Sequence, residues 1–195
     1  MRITLGTLFS VLFILSVPIL GHTSQREIRA IESVLPDFFQ LYMLRKDRRS
    51  DLDTVNVKEL SNGHYSAEMS YWRSLKSRDP VEEICNAYRW LLFGRGTYGK
   101  GAKEAFERFS NLDEIKIRFF DIEFTTKIGK KRAEILPDEK VVPYLRVGVQ
   151  RQSLAAKKPN WKRIQASLDK GQCAPVGDKY LDTKWFDKNY LRQGQ

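Results

Sequence analysis

Histidine is almost missing from this chain. Of 195 residues two are histidine, and His22 falls inside an N-terminal apolar segment, which leaves His64 for the remainder. A zinc site resting on two or three imidazoles is therefore excluded, and Cys85 and Cys173, the two cysteines, lack the Cys-x-x-Cys spacing that could replace them. No metal and no cofactor is expected. Wholesale disorder, collagen-like repetition and a multi-span membrane protein are excluded by a composition that is 42% hydrophobic, 12% aromatic and 30% charged, close to ordinary globular usage.

The first twenty-five residues hold one charged side chain, Arg2, ahead of the apolar run Leu8 to Val17, then Pro18 and the small residues Gly21, Thr23 and Ser24. A short basic start, an apolar centre, a helix breaker and small residues are the order of a secretory signal peptide, and residues 1–24 are read as one. The competing reading is an uncleaved membrane anchor, because Ile3 to Leu20 approaches the lower length of a span. Pro18, Thr4, Gly6, Thr7 and Ser10 interrupt or dilute that run and favour cleavage. No cysteine follows Gly21, so lipoprotein attachment is excluded, and no Asn opens a glycosylation triplet, which favours a bacterial envelope. On either reading residues 25–195 form a single exported domain, periplasmic or secreted. An even pair of cysteines in an oxidising compartment predicts a Cys85 to Cys173 disulfide.

Lys and Arg total 34 against 24 Asp and Glu, a formal charge of +10. Residues 26–126 are balanced at 17 of each sign, whereas residues 127–170 carry 12 basic and 4 acidic side chains, so the surplus is local. Lys127, Lys130, Lys131 and Arg132 gather at one expected turn, while Lys157, Lys158, Lys162 and Arg163 surround Pro159 and Trp161. Ammonium and guanidinium groups hold phosphate or carboxylate through charge-assisted hydrogen bonds, and an exposed indole stacks on a ring or sits at a lipid interface. These nine side chains, Trp161 included, are the candidate site for an anionic partner. The bland alternative is a solvated basic face with Trp161 docked in the core.

Periodicity supplies the architecture. Ile28, Ile31, Leu35, Phe38, Phe39 and Tyr42 mark one face of a helix over 26–44, which Pro36 should kink or divide. From Val55 the period becomes two, with Asn62-Gly63 as the turn of a hairpin that continues through Tyr65, Ala67, Met69 and Tyr71. Asp79-Pro80 with Glu82 opens a second helix whose buried face is Val81, Ile84, Cys85, Tyr88, Leu91 and Leu92, ending at Gly94; a shorter one follows from Ala102 to Phe109. Three strand-like runs come next, 115–124, 132–136 and 141–152. The first changes phase near Phe119, which a β-bulge would reconcile, and the last points Leu145, Val147 and Val149 inward with Tyr144, Arg146 and Gln150 outward. A helix from Trp161 to Leu168, a loop carrying Cys173, and a tail whose Tyr180, Trp185, Phe186 and Tyr190 should pack back on the domain complete the chain.

This order predicts an α+β fold with a mainly antiparallel curved sheet, made of an early hairpin and a three-stranded meander, packed with helices. It resembles the NTF2-like cone in element order alone, an arrangement that hosts both enzymes and inert binding modules.

Three motifs compete for a catalytic reading. The string from Gly94 through Gly96 and Gly99 to Lys100-Gly101 imitates phosphate-binding loops, yet Gly101 stands where a magnesium-binding hydroxyl belongs, and a helix rather than a strand is expected before it. A Cys85 to His64 dyad is chemically allowed but joins an apolar helix face to a turn. Asp121 and Glu123 share a strand face and could do carboxylate chemistry, although Arg118 or Lys116 would more simply pair with them. The expectation is therefore an exported non-enzymatic binding or scaffold protein of the cell envelope. Its partner would be an anionic lipid or polysaccharide, or another envelope protein, with nucleic acid disfavoured because export removes the chain from it. The alternative is a small cofactor-free hydrolase or isomerase with a carboxylate-lined pocket that includes Asp121, Glu123 or His64.

Overall fold

A computed structural model describes residues 20–39, 55–73, 79–96, 99–122 and 141–187. Among the described residues eleven elements follow one another: α1 (Leu20–Phe39), β1 (Val55–Glu59), β2 (Tyr65–Arg73), α2 (Pro80–Phe93), α3 (Gly101–Arg108), β3 (Leu112–Ile122), β4 (Val141–Gln150), α4 (Arg151–Ala156), α5 (Trp161–Asp169), α6 (Cys173–Tyr180) and β5 (Thr183–Phe186). The five strands form one open sheet in the order β1-β2-β3-β4-β5. Every neighbouring pair is antiparallel except β2 and β3, which run parallel because α2 and α3 carry the chain back across the sheet between them. The fold is thus α+β and mainly antiparallel. The expected middle strand 132–136 lies outside the described residues; β3 pairs directly with β4, and the tail supplies the next strand as β5.

Alternation sorts the sheet into two faces. Val57, Ala67, Met69, Ile115, Ile117, Leu145 and Val147 are all buried and join the apolar faces of α1, α2 and α6 in one core. At the centre of that core Phe119 stacks against Tyr71 (5.6 Å), Trp90 (6.0 Å) and Tyr144 (6.3 Å). The opposite side of each strand carries mostly hydroxyls and charges: Ser66, Glu68 and Ser70 on β2, Glu114, Lys116 and Arg118 on β3, Arg146 on β4.

Several local expectations are corrected. The helix α1 passes through Pro36 without dividing, because a proline in the last turn forgoes a single hydrogen bond and the buried Leu35 and Phe39 hold that turn on the core. Val81 is 56% exposed rather than inward, and Ala87 and Trp90 fill the face in its place. The bulge near Phe119 exists, but its extra residue is in the partner strand: Phe119 pairs with Leu145 and Phe120 with Pro143, leaving Tyr144 unpaired. The parallel register of β2 with β3 runs unbroken past this point, so Phe120 stays on the face opposite Phe119. Tyr144, expected outward, is instead fully buried beside Phe119. The strand β4 stops at Gln150 and α4 begins at once, and the loop expected around Cys173 is the helix α6.

That last helix is fixed covalently. Cys85 of α2 and Cys173 of α6 form the expected disulfide, with Cα atoms 5.1 Å apart at a sequence separation of 88. One turn further on, Gly177 lies directly against the Tyr88 ring, where any side chain would collide, so the helices meet at backbone distance.

Candidate functional site

The described half of the basic segment sits at the corner between α4 and α5. Asn160 caps α5 by accepting from the Arg163 amide at 3.0 Å, which turns Trp161, Lys162 and Arg163 into its first turn. Trp161 is half-buried and meets the Phe93 ring edge-on at 5.7 Å, so its indole anchors the corner to the end of α2. Lys158 takes a left-handed backbone, φ 44°, and together with Lys162 and Arg163 it is exposed without a carboxylate partner among the described residues. Lys157 differs, since its ammonium lies 3.3 Å from Asp182. The other four candidate cations, Lys127, Lys130, Lys131 and Arg132, lie outside the described residues. Of the expected residues, Lys158, Lys162 and Arg163 are exposed around the α4–α5 corner, Lys157 is paired with Asp182, and Trp161 packs on Phe93 instead of standing free in solvent.

Asp182 is the other half of that brace. Its carboxylate accepts from the Gln150 amide (2.8 Å), the Ser153 hydroxyl (2.6 Å) and Lys157, tying β4, α4 and the start of β5 together. Burial alone would raise its pKa, but these hydrogen bonds and the Lys157 charge outweigh burial and hold it below the ordinary carboxylate range.

The glycine-rich string has a structural task. Gly94 ends α2 with φ 74°, and a side chain on it would meet the Phe38 carbonyl at 2.5 Å and Gly99 at 2.6 Å. This close approach lets the Arg95 amide donate to the Phe39 carbonyl (3.0 Å) and the Lys100 amide to the Phe38 carbonyl (2.8 Å), which caps the C-terminus of α1. Amides spent on a neighbouring helix do not cradle a phosphate, and a helix precedes the loop. Arg95 itself lies over the Trp90 ring at 5.4 Å and the Tyr71 ring at 5.8 Å.

The catalytic candidates separate. Cys85 is consumed by its disulfide, so the dyad with His64 does not exist. Asp121 is a register position of β3 opposite Arg73 and Val142, and Glu123 lies outside the described residues. His64 has a different partner, one that sequence reasoning missed. Its Nδ1 lies 3.0 Å from Asp113, which also accepts from Asn62 (3.1 Å), with Arg151 at 3.9 Å. Burial opposes the Asp113 charge, and the His64 and Asn62 hydrogen bonds with the Arg151 charge overcome it, lowering the pKa. Only the pairing of Tyr65 with Leu112, which sets the hairpin turn beside the start of β3, brings these residues together. Arg151 further donates to the Leu112 and Phe109 carbonyls, so the cluster locks the turn to the α3–β3 junction. Among the described residues no three His, Cys, Asp or Glu side chains converge to hold a metal.

No helix among the described residues is long and apolar enough to cross a membrane. Comparison with protein-family models, with curated proteins and with solved structures found no match to this chain.

Proposed function

We propose that the chain is an exported, non-enzymatic binding or scaffold protein of the cell envelope whose cationic corner holds an anionic partner. The observation that carries this reading is that Lys158, Lys162 and Arg163 are exposed and unneutralised within six residues, on a turn made rigid by the Asn160 cap and the Trp161 to Phe93 contact. Elsewhere on the described surface many cations face a carboxylate, as Arg89 does Asp169, Lys100 does Glu104 and Lys103 does Glu107. A rigid cluster of uncompensated charge attracts phosphate or carboxylate more strongly than scattered pairs do. Export is supported by the leader order of residues 1–24 and by the disulfide, which is the usual mark of an oxidising compartment.

Cosedimentation with vesicles containing phosphatidylglycerol tests it. Reversing Lys158, Lys162 and Arg163 to Glu should weaken binding at least about tenfold, since each cation near an anionic surface contributes on the order of 1 kcal/mol. Reversing Arg26, Arg29 and Lys103 changes the net charge equally and should matter little. Equal loss from both triple variants would mean that net charge alone binds, and the corner would have to be abandoned. A second reading, a small cofactor-free hydrolase, draws on the His64–Asp113 pair, because a carboxylate at Nδ1 orients an imidazole for general-base work. Turnover of simple esters that disappears in His64→Gln would favour it.

A further inference from the structure

The sheet face turned away from the helices carries a straight row of groups that the sequence does not announce. The registers align Ser70 with Arg118, Arg118 with Arg146, and Arg146 with Trp185, one residue from each of four adjacent strands. At ordinary strand spacing that row is about 14 Å long. Glu68, two residues before Ser70 on the same face of β2, lies 2.8 Å from the guanidinium of Arg118 and 2.8 Å from that of Arg146, so one carboxylate serves two cations and the row keeps a surplus positive charge. Both arginine side chains remain part-exposed, at 39% and 33%. Trp185 ends the row with 46% of its surface exposed.

We propose that this row is a binding site for a carboxylate-bearing polysaccharide, with Trp185 stacking on a sugar ring and Arg118 and Arg146 reaching the carboxylates. The chemistry selects this occupant. Around the row the face offers Asn56, Ser66, Ser70 and Thr183, amide and hydroxyl groups that exchange hydrogen bonds with a polyhydroxylated chain and give nothing to acyl tails. Among the described residues Trp185 is the single large apolar side chain exposed on this face, since Phe120, two residues beyond Arg118, is buried. One surplus charge over about 14 Å matches a polymer with a carboxylate on some of its sugars, whereas duplex nucleic acid presents a charge about every 1.7 Å. The platform is also rigid. Lys116 is drawn to Glu114 and lays its stem across Gly148, where any side chain would meet it, so the floor beside Trp185 is flat.

The row shares no residue with the α4–α5 corner, and the test separates the two. Full-length protein is run by affinity electrophoresis in gels containing polygalacturonate, and in parallel in gels containing neutral galactan. Retardation by polygalacturonate and none by galactan is expected, and Trp185→Ala should weaken it at least about tenfold, the scale of losing a central aromatic anchor. Arg118→Gln with Arg146→Gln should do the same, checked for folding by circular dichroism; Trp185→Ala, at an exposed position, reports even where that double variant fails to fold. Unchanged retardation in Trp185→Ala overturns the proposal, and so does equal retardation by galactan. Loss in the Lys158, Lys162 and Arg163 triple variant without loss in Trp185→Ala overturns it while leaving the corner standing. A dimer in sedimentation that Trp185→Ala disperses would show the face to be a contact between copies and would likewise overturn it.

Discussion

Phe119 and Arg118 are neighbours on β3, yet they belong to opposite faces of the sheet and to different physics. Phe119 is 1% exposed and touches three other aromatic rings, so its contribution is contact with close-packed neighbours. Arg118 shares the Glu68 carboxylate with Arg146 in partial contact with water, where screening and side-chain entropy consume most of the attraction. The comparison teaches that the helix-covered face holds this protein together, whereas the charged row on the other face has little packing to lose, so single changes there should cost less stability.

The largest expected effect lies on the covered side. Replacing Cys85 and Cys173 together by Ala should lower stability by about 4 to 5 kcal/mol, the loop-closure contribution of a cross-link spanning so much chain, measured as a drop in the urea midpoint. Two alkylated thiols in native, unreduced protein would remove the premise. Next, Phe119→Ala should cost about 3 to 5 kcal/mol through the cavity left among its rings, against less than about 1 kcal/mol for Glu68→Gln on the other face. A Glu68→Gln loss comparable to that of Phe119→Ala would break the comparison.

Glycines offer a smaller version of the same contrast. Gly94 and Gly63 both have positive φ, 74° and 76°, but a side chain on Gly94 collides with α1 whereas Gly63 faces open space. Gly94→Ala should therefore cost about 2 to 3 kcal/mol and Gly63→Ala about 1 kcal/mol, read from thermal melts. The smallest effect is one of pH at the seams between the faces. Asp182 and Asp113 both have folded pKa values depressed below the unfolded one, so the stability they add is present above about pH 4 and lost as pH falls through the depressed values. Asp182→Asn should be less stable than the parent at neutral pH and converge with it in acid. Parallel pH profiles would show that the Asp182 carboxylate adds nothing beyond its shape.

Much of the fold was legible because its signals are local. The hairpin at Asn62-Gly63, the Asp79-Pro80 helix start and the short helix after Gly94 depend on residues a few positions apart, and the structure has all three. The disulfide was legible from an even residue count and the expected compartment. Errors fell where long-range pairing intervenes. Tyr144 was given an outward place by alternation and lies in the core, since the bulge that turns it exists only through the pairing of β4 with β3. Of the kink or division expected at Pro36, the division does not occur, because tertiary contacts of Leu35 and Phe39 hold the last turn of α1.

The candidate sites divide in the same way. The cationic corner could be read as a charge run, because Lys157 to Arg163 are close in sequence, although the docking of Trp161 on Phe93 could not. The His64–Asp113 cluster and the row from Ser70 to Trp185 left no trace in sequence, since their members are separated by tens of residues and meet only through strand register. By itself, then, the sequence determined the α+β class, the Asp79 helix cap, the cysteine pair and the local charge surplus, all set by near neighbours or by composition. Tertiary structure alone decided the parallel β2–β3 step, the burial of Tyr144, the task of the glycine string and the alignment of Arg118, Arg146 and Trp185, because each depends on which distant backbone lies alongside.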